Sequence, residues 1–148
     1  MLMHPDRVRL WPHLKSEGYE VKSVDTPDFR YNCIAFSVDE ETLWWWPDGE
    51  GFWPDDAPRE VTRRAFVIMY RNRGYEICAD GSLEVGFEKI AIYERYGAVP
   101  THAAKQLADG RWKSKLGEFE DIEHNTTNAV TEYVYGQVAV YMKRANAS

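Results

Sequence analysis

Cys33 stands where a nucleophile would stand in this chain of 148 residues, which has only two cysteines. In Tyr31-Asn32-Cys33-Ile34-Ala35-Phe36 it opens a short apolar run, just after the turn-prone Thr26-Pro27-Asp28. That placement predicts the first turn of a helix, whose free N–H groups and positive dipole end favour a thiolate. Farther along, Thr101-His102-Ala103-Ala104 opens a strand-like run, and an imidazole brought beside the sulfur would act as its base. Cys33 and His102 are read as a candidate dyad for attack on an amide or acyl carbon. Backbone N–H groups near Cys33 would hold the oxyanion.

A third polar group would orient the imidazole through its other nitrogen. Asp109-Gly110 reads as a two-residue hairpin turn. It sets Ala108 opposite Arg111, Gln106 opposite Lys113 and His102 opposite Gly117. Lys113 and Lys115 then share the His102 face and, while charged, cannot accept its proton. Ser114 points the other way unless the loop is one residue longer. Glu118, Glu120 and Asp121, just past the strand end, are the candidate third members, with His124 a weaker alternative.

Structural accounts compete with each assignment. A buried lone cysteine is usually a small hydrophobe, and a lone histidine at a strand start is usually structural or solvated. Asn32 suits a helix cap more than an oxyanion contact. Cys78 competes as nucleophile but falls in an apparent strand. Asp39, Glu40 and Glu41 read as a charged helix end.

Six Trp and nine Tyr are a heavy aromatic load, and Trp44, Trp45, Trp46 and Trp53 gather it near Cys33. They are either core or the wall of a substrate cleft. The expectation is a split, with Trp45 or Trp46 buried and a neighbour lining the cleft beside Asn32 and Cys33.

The elements that would position these groups make one domain over 1–148, with 1–30 as an N-terminal extension and 31–143 as the Cys-His core. Arg7 to Gly18 reads as a helix carrying Val8, Leu10, Trp11 and Leu14 on one side, and Tyr19 to Val24 as extended. Trp44 to Pro58 is an irregular loop. A helix starts at Pro58 and runs to Asn72, with Val61, Ala65, Phe66, Ile68 and Met69 at helical spacing. Strands follow at Tyr75–Cys78, Phe87–Tyr93, Thr101–Leu107, Trp112–Leu116 and Tyr135–Met142. The fold class is α+β, an antiparallel sheet with the Cys33 helix packed on one face.

A net charge of −6 and a pI near 5.2 argue against a nucleic-acid partner. Arg59, Arg63, Arg64, Arg71 and Arg73 suit a solvated helix face. No CxxC or other metal-ligand spacing occurs, and no cofactor is expected. The N-terminus has no signal-like apolar core and no apolar run reaches a membrane span, so the expected location is the cytoplasm, where Cys33 and Cys78 would stay reduced.

Asn32-Cys33-Ile34-Ala35-Phe36 on a helix, then Phe87–Tyr93, then Thr101-His102-Ala103-Ala104, resembles the papain-like cysteine hydrolases of the NlpC type. The Tyr31-Asn32-Cys33 start, the Trp-rich loop, Gly86-Phe87-Glu88-Lys89 and Trp112-Lys113-Ser114-Lys115-Leu116-Gly117 also resemble an uncharacterised bacterial protein group. The first resemblance implies a Cys at a helix start, a His on the second strand of the following sheet and a polar third residue on or after the next strand. It also implies action on amide bonds, often in peptidoglycan peptides, or acyl transfer. The reading is a cysteine hydrolase or acyl transferase on a peptide or other amide. The alternatives are a non-catalytic module binding a peptide or protein through its tryptophans, and a small immunity or antitoxin protein.

Overall fold

The computed structural model describes residues 8–22, 31–39, 43–116 and 120–146. Among the described residues seven antiparallel strands make one sheet: β1 (Tyr19–Val21), β2 (Glu76–Cys78), β3 (Phe87–Arg95), β4 (Val99–Gln106), β5 (Trp112–Lys115), β6 (Asp121–His124) and β7 (Gln137–Ala145). Their spatial order is β1-β6-β5-β4-β3-β7-β2. The chain is therefore α+β, with β3 and β4 near the centre. Among the described residues no helix is long and apolar enough to cross a membrane.

Both faces of the centre are covered, which explains the run of buried Ile90, Ala91, Ile92 and Tyr93 in β3. Ile90, Ile92 and Ala103 face the Cys33–Ser37 and Arg63–Arg71 helices and the buried Trp45 and Trp53. Ala91, Tyr93 and Ala104 face Trp11, Leu14 and the 3-10 turn Thr127–Val130.

Several predicted boundaries move. The first described helix is only Leu14–Glu17, because Pro12 interrupts the N-terminal pattern and cannot continue a ladder. The long helix starts at Arg63 rather than Pro58. Thr62 is extended and its side chain accepts the Ala65 N–H, so this cap fixes the start. The Cys33 helix stops at Ser37, so Asp39 is no helix end. It turns left-handed (φ 62°) and pairs with Lys105 at 2.5 Å and Lys113 at 3.3 Å. Glu40 and Glu41 lie outside the described residues. Arg63 is not merely solvated. It grips the buried Glu94 carboxylate with two bonds of 2.7 Å.

The consequential change is the β4–β5 register. Leu107 donates its N–H to Arg111 O at 2.7 Å, closing a three-residue loop with Gly110 left-handed at φ 93°. This is the turn-plus-bulge hairpin that a glycine in third place permits. Gln106 consequently pairs with Trp112 and Lys105 with Lys113. A shift of one residue reverses the faces of β5. Ser114 comes onto the His102 face, and Lys113 and Lys115 leave it.

Candidate active site

The Cys33 helix is positioned by the residue before it. Asn32 is extended, and its Oδ1 accepts the Ala35 N–H at 3.2 Å. The same Oδ1 accepts the Trp45 N–H at 3.1 Å, while Nδ2 donates to Trp45 O at 2.6 Å. One buried amide thus caps the helix and anchors the tryptophan loop. Within that loop Gly51 accepts no side chain, because a Cβ would sit 2.9 Å from Trp44 O and 3.0 Å from Trp46 N.

The sulfur of Cys33 lies close to the backbone of β4 at Ala103. Leu107 directs its N–H to β5, and backbone direction alternates along a strand, so the N–H groups of Lys105 and Ala103 point the same way. Beyond Lys105 the two strands no longer pair, and the Ala103 N–H meets the Cys33 sulfur instead. Burial nonetheless pushes this thiol up to about 11. It outweighs the N–H groups of Ala103, Ile34 and Cys33 itself and the charge of Lys115, all of which pull it down. The helix start does not yield a resting thiolate here.

His102, one residue before Ala103, turns to the opposite face with Tyr93 and stacks on Tyr135 at 3.9 Å, with the rings 7° from parallel. Its Nε2 lies 3.0 Å from Ser114 Oγ, and Ser114 Oγ lies 2.8 Å from His124 Nε2. His124 Nδ1 lies 2.7 Å from Thr126 O. The carbonyl at the end of this chain sets every proton in it. A carbonyl only accepts, so His124 Nδ1–H donates and its Nε2 is an acceptor. Ser114 therefore donates to His124 and accepts from His102 Nε2–H. Nδ1 of His102 is left as a bare lone pair, fully buried and without a hydrogen-bond partner.

Both imidazoles are neutral. Burial, aided by the charge His124 would carry, holds His102 well below its ordinary 6.5. Burial brings His124 down to about 4 against the pull of the Thr126 carbonyl. The resting pair is a neutral thiol and a neutral imidazole with an unoccupied basic nitrogen. No hydrogen bond joins the two residues.

A cavity of about 300 Å³ opens beside Cys33, lined also by Asn32, Trp44, Trp46, Thr101 and Tyr135. Trp44 and Trp46 are half-buried, whereas Trp45 and Trp53 are buried in the core. Trp46 and Trp53 both pack on Phe66. Tyr135 links the two halves of the site, since it borders the cavity and covers the His102 ring.

Neither described carboxylate considered for the third position hydrogen-bonds to His102. Glu118 is outside the described residues. Glu120 is buried, and Asp121 accepts the Tyr31 hydroxyl at 2.8 Å from the face shared with Lys115. Ser114 occupies the place at His102 Nε2, because the added loop residue turns it inward. His124, a minor candidate from sequence, stands behind it. Asp109-Gly110 was the available signal for this register, since its glycine serves a two- or a three-residue loop. Thr101 and Tyr135 carried no signal. Cys78 is half-buried on edge strand β2, donates to Asp80 O at 3.5 Å, and, like Cys33, is a free cysteine.

No curated protein and no solved structure matches this sequence. One family model does, over residues 21–143, a span that takes in Cys33, the tryptophan loop, His102, Ser114 and His124. The chain belongs to that family, the domain of unknown function DUF7689.

Proposed function

We propose that this domain is a cysteine hydrolase or acyl transferase of the papain-like, NlpC-type arrangement, with Cys33 as nucleophile and His102 as base. The observation that carries the reading is the bare Nδ1 of His102. The Thr126–His124–Ser114 chain fixes it as an acceptor, one residue along the strand from the N–H that meets the Cys33 sulfur. A buried acceptor without a donor is costly, and sites of chemistry are where such cost is retained.

Because both partners rest neutral, the proton moves during attack rather than before it. The two side chains rest on opposite faces of β4 with no hydrogen bond between them. The sulfur therefore bonds to the acyl carbon as its proton reaches His102 Nδ1 through one water or a polar group of the substrate. The bond to the amine or alcohol then breaks, and the leaving group takes that proton. Water, or the hydroxyl or amine of a second acceptor in the transferase case, then bonds to the thioester carbon. The carbon–sulfur bond breaks, and the proton lost by that nucleophile passes through His102 to the sulfur. The N–H of Ala103 and those at the Cys33 helix start are the available oxyanion donors. Two free cysteines suit a reducing compartment such as the cytoplasm.

The test is turnover of p-nitrophenyl acetate with intact-mass detection of the acyl-enzyme. The wild type is expected to accumulate an adduct on Cys33 that Cys33→Ala lacks and His102→Gln forms at least about a hundredfold more slowly. An adduct confined to Cys78, or unchanged rates in both variants, would remove the proposal. The buried, protonated thiol favours a second reading, a non-catalytic module that binds a peptide over Trp44 and Trp46. Cys33→Ser would then leave peptide binding intact.

A further inference from the structure

We infer that the cavity beside Cys33 selects an uncharged, apolar acyl group of about ten heavy atoms; its catalytic sense rests on the nucleophile reading, its ligand preference does not. None of the six lining residues is charged. The polar atoms of two of them are already spent. Asn32 uses its amide on Ala35 and Trp45, and Thr101 Oγ1 donates to Tyr135 O at 2.6 Å. What remains for a ligand is the aromatic surface of Trp44, Trp46 and Tyr135, with the polar edges of those rings, and the thiol.

The charge that acts on Cys33 is Lys115, which is wholly buried against the Tyr31 ring at 5.0 Å and does not border the cavity. A carboxylate entering this space would lose its water and touch no cation in the lining, whereas a hydrocarbon or phenyl group would not carry that cost. The volume of about 300 Å³ is roughly twice that of an engineered apolar cavity that accepts benzene. Acetyl would leave most of it empty.

The experiment measures binding and acylation separately on the intact protein. Phenylacetamide, hexanamide and succinamate are titrated by tryptophan fluorescence and saturation-transfer NMR, and the matching p-nitrophenyl esters are followed as Cys33 adducts. The two apolar amides are expected to bind at least about tenfold more tightly than succinamate, with acylation rates in the same order. Trp46→Ala and Trp44→Ala should each shrink that discrimination to about threefold or less. Trp46 also packs on Phe66, so its truncation strains the fold. Trp44 makes no ring contact among the described residues and is the safer variant. Equal or tighter binding of succinamate, or full discrimination retained in folded Trp44→Ala and Trp46→Ala, overturns the inference. Selective binding without any Cys33 adduct upholds it and removes the nucleophile role; adducts formed without selectivity do the reverse.

Discussion

Asn32 holds Trp45 by both of its backbone groups, donating to its carbonyl at 2.6 Å and accepting its N–H at 3.1 Å, while capping the Cys33 helix through Ala35. The nucleophile candidate and the aromatic loop are therefore positioned by one side chain. Asn32→Ala would uncap the helix and leave two backbone groups of Trp45 unpaired, at a cost of about 2–4 kcal/mol in urea unfolding. Asn32→Asp keeps the acceptor and loses only the donor, so it should cost less than the alanine. Equal costs would show that the clamp on Trp45 O carries the whole loss and that the acceptor oxygen, cap included, contributes nothing.

Per-cysteine alkylation against pH reads the state of the thiol directly. Cys33 is expected to resist iodoacetamide at neutral pH and to titrate toward about 11 in the folded protein. The half-buried Cys78 should label first. A midpoint for Cys33 at or below its ordinary 9.0 would mean that the helix start, not burial, governs it.

The same burial makes stability fall in alkali. As pH rises past the ordinary 9.0, the unfolded chain releases the Cys33 proton while the folded chain keeps it to about 11. Stability is full below the lower value and declines through that window, by roughly 2–3 kcal/mol. Cys33→Ala should flatten this part of the profile, and an unchanged slope would argue against the burial account.

On the acid side the sign reverses for the two histidines. Folded His124 stays neutral to about 4, whereas an unfolded one takes a proton near its ordinary 6.5. Stability is therefore full above that value and lost as pH falls, by roughly 3 kcal/mol for His124 alone. In His124→Gln the slope between those limits should diminish, as measured by denaturant unfolding at each pH.

Ser114→Ala removes the bridge between two buried rings, leaving His102 Nε2–H and His124 Nε2 unpaired. The expected cost is about 2–4 kcal/mol. Long-range ¹H–¹⁵N spectra should show His102 protonated at Nε2 and bare at Nδ1 in the wild type, with that assignment lost in Ser114→Ala and restored in Ser114→Thr. A wild-type spectrum with the proton on Nδ1 would contradict the hydrogen-bond order argued from Thr126.

Features legible in the chain itself are those set by neighbours in sequence. The Asn32 cap, Cys33 in the first helical turn, the β3 and β4 strands and the existence of the β4–β5 hairpin all rest on spacings of a few residues. Pro12 and Thr62 are equally local, the one shortening the first described helix and the other capping the long helix at Arg63. β6 was harder to see. Asp121-Ile-Glu-His124 has one apolar residue, and its strand character comes from pairing with β1 and β5.

The sequence by itself determined which chemical groups this domain owns and which local elements carry them: a thiol at a helix start, an imidazole on a central strand, and tryptophans in the loop between. Only the tertiary structure decided how those groups behave. One extra residue in the Ala108–Gly110 loop put Ser114, not a carboxylate, at His102, because strand faces alternate with a period of two and a slip of one exchanges them. Packing by distant segments took water from Cys33, His102 and His124, and desolvation acts on charge far more strongly than a short helix start does. The first effect turns on a local loop whose length its residues leave open, and the second on segments far apart in the chain covering both faces of the sheet.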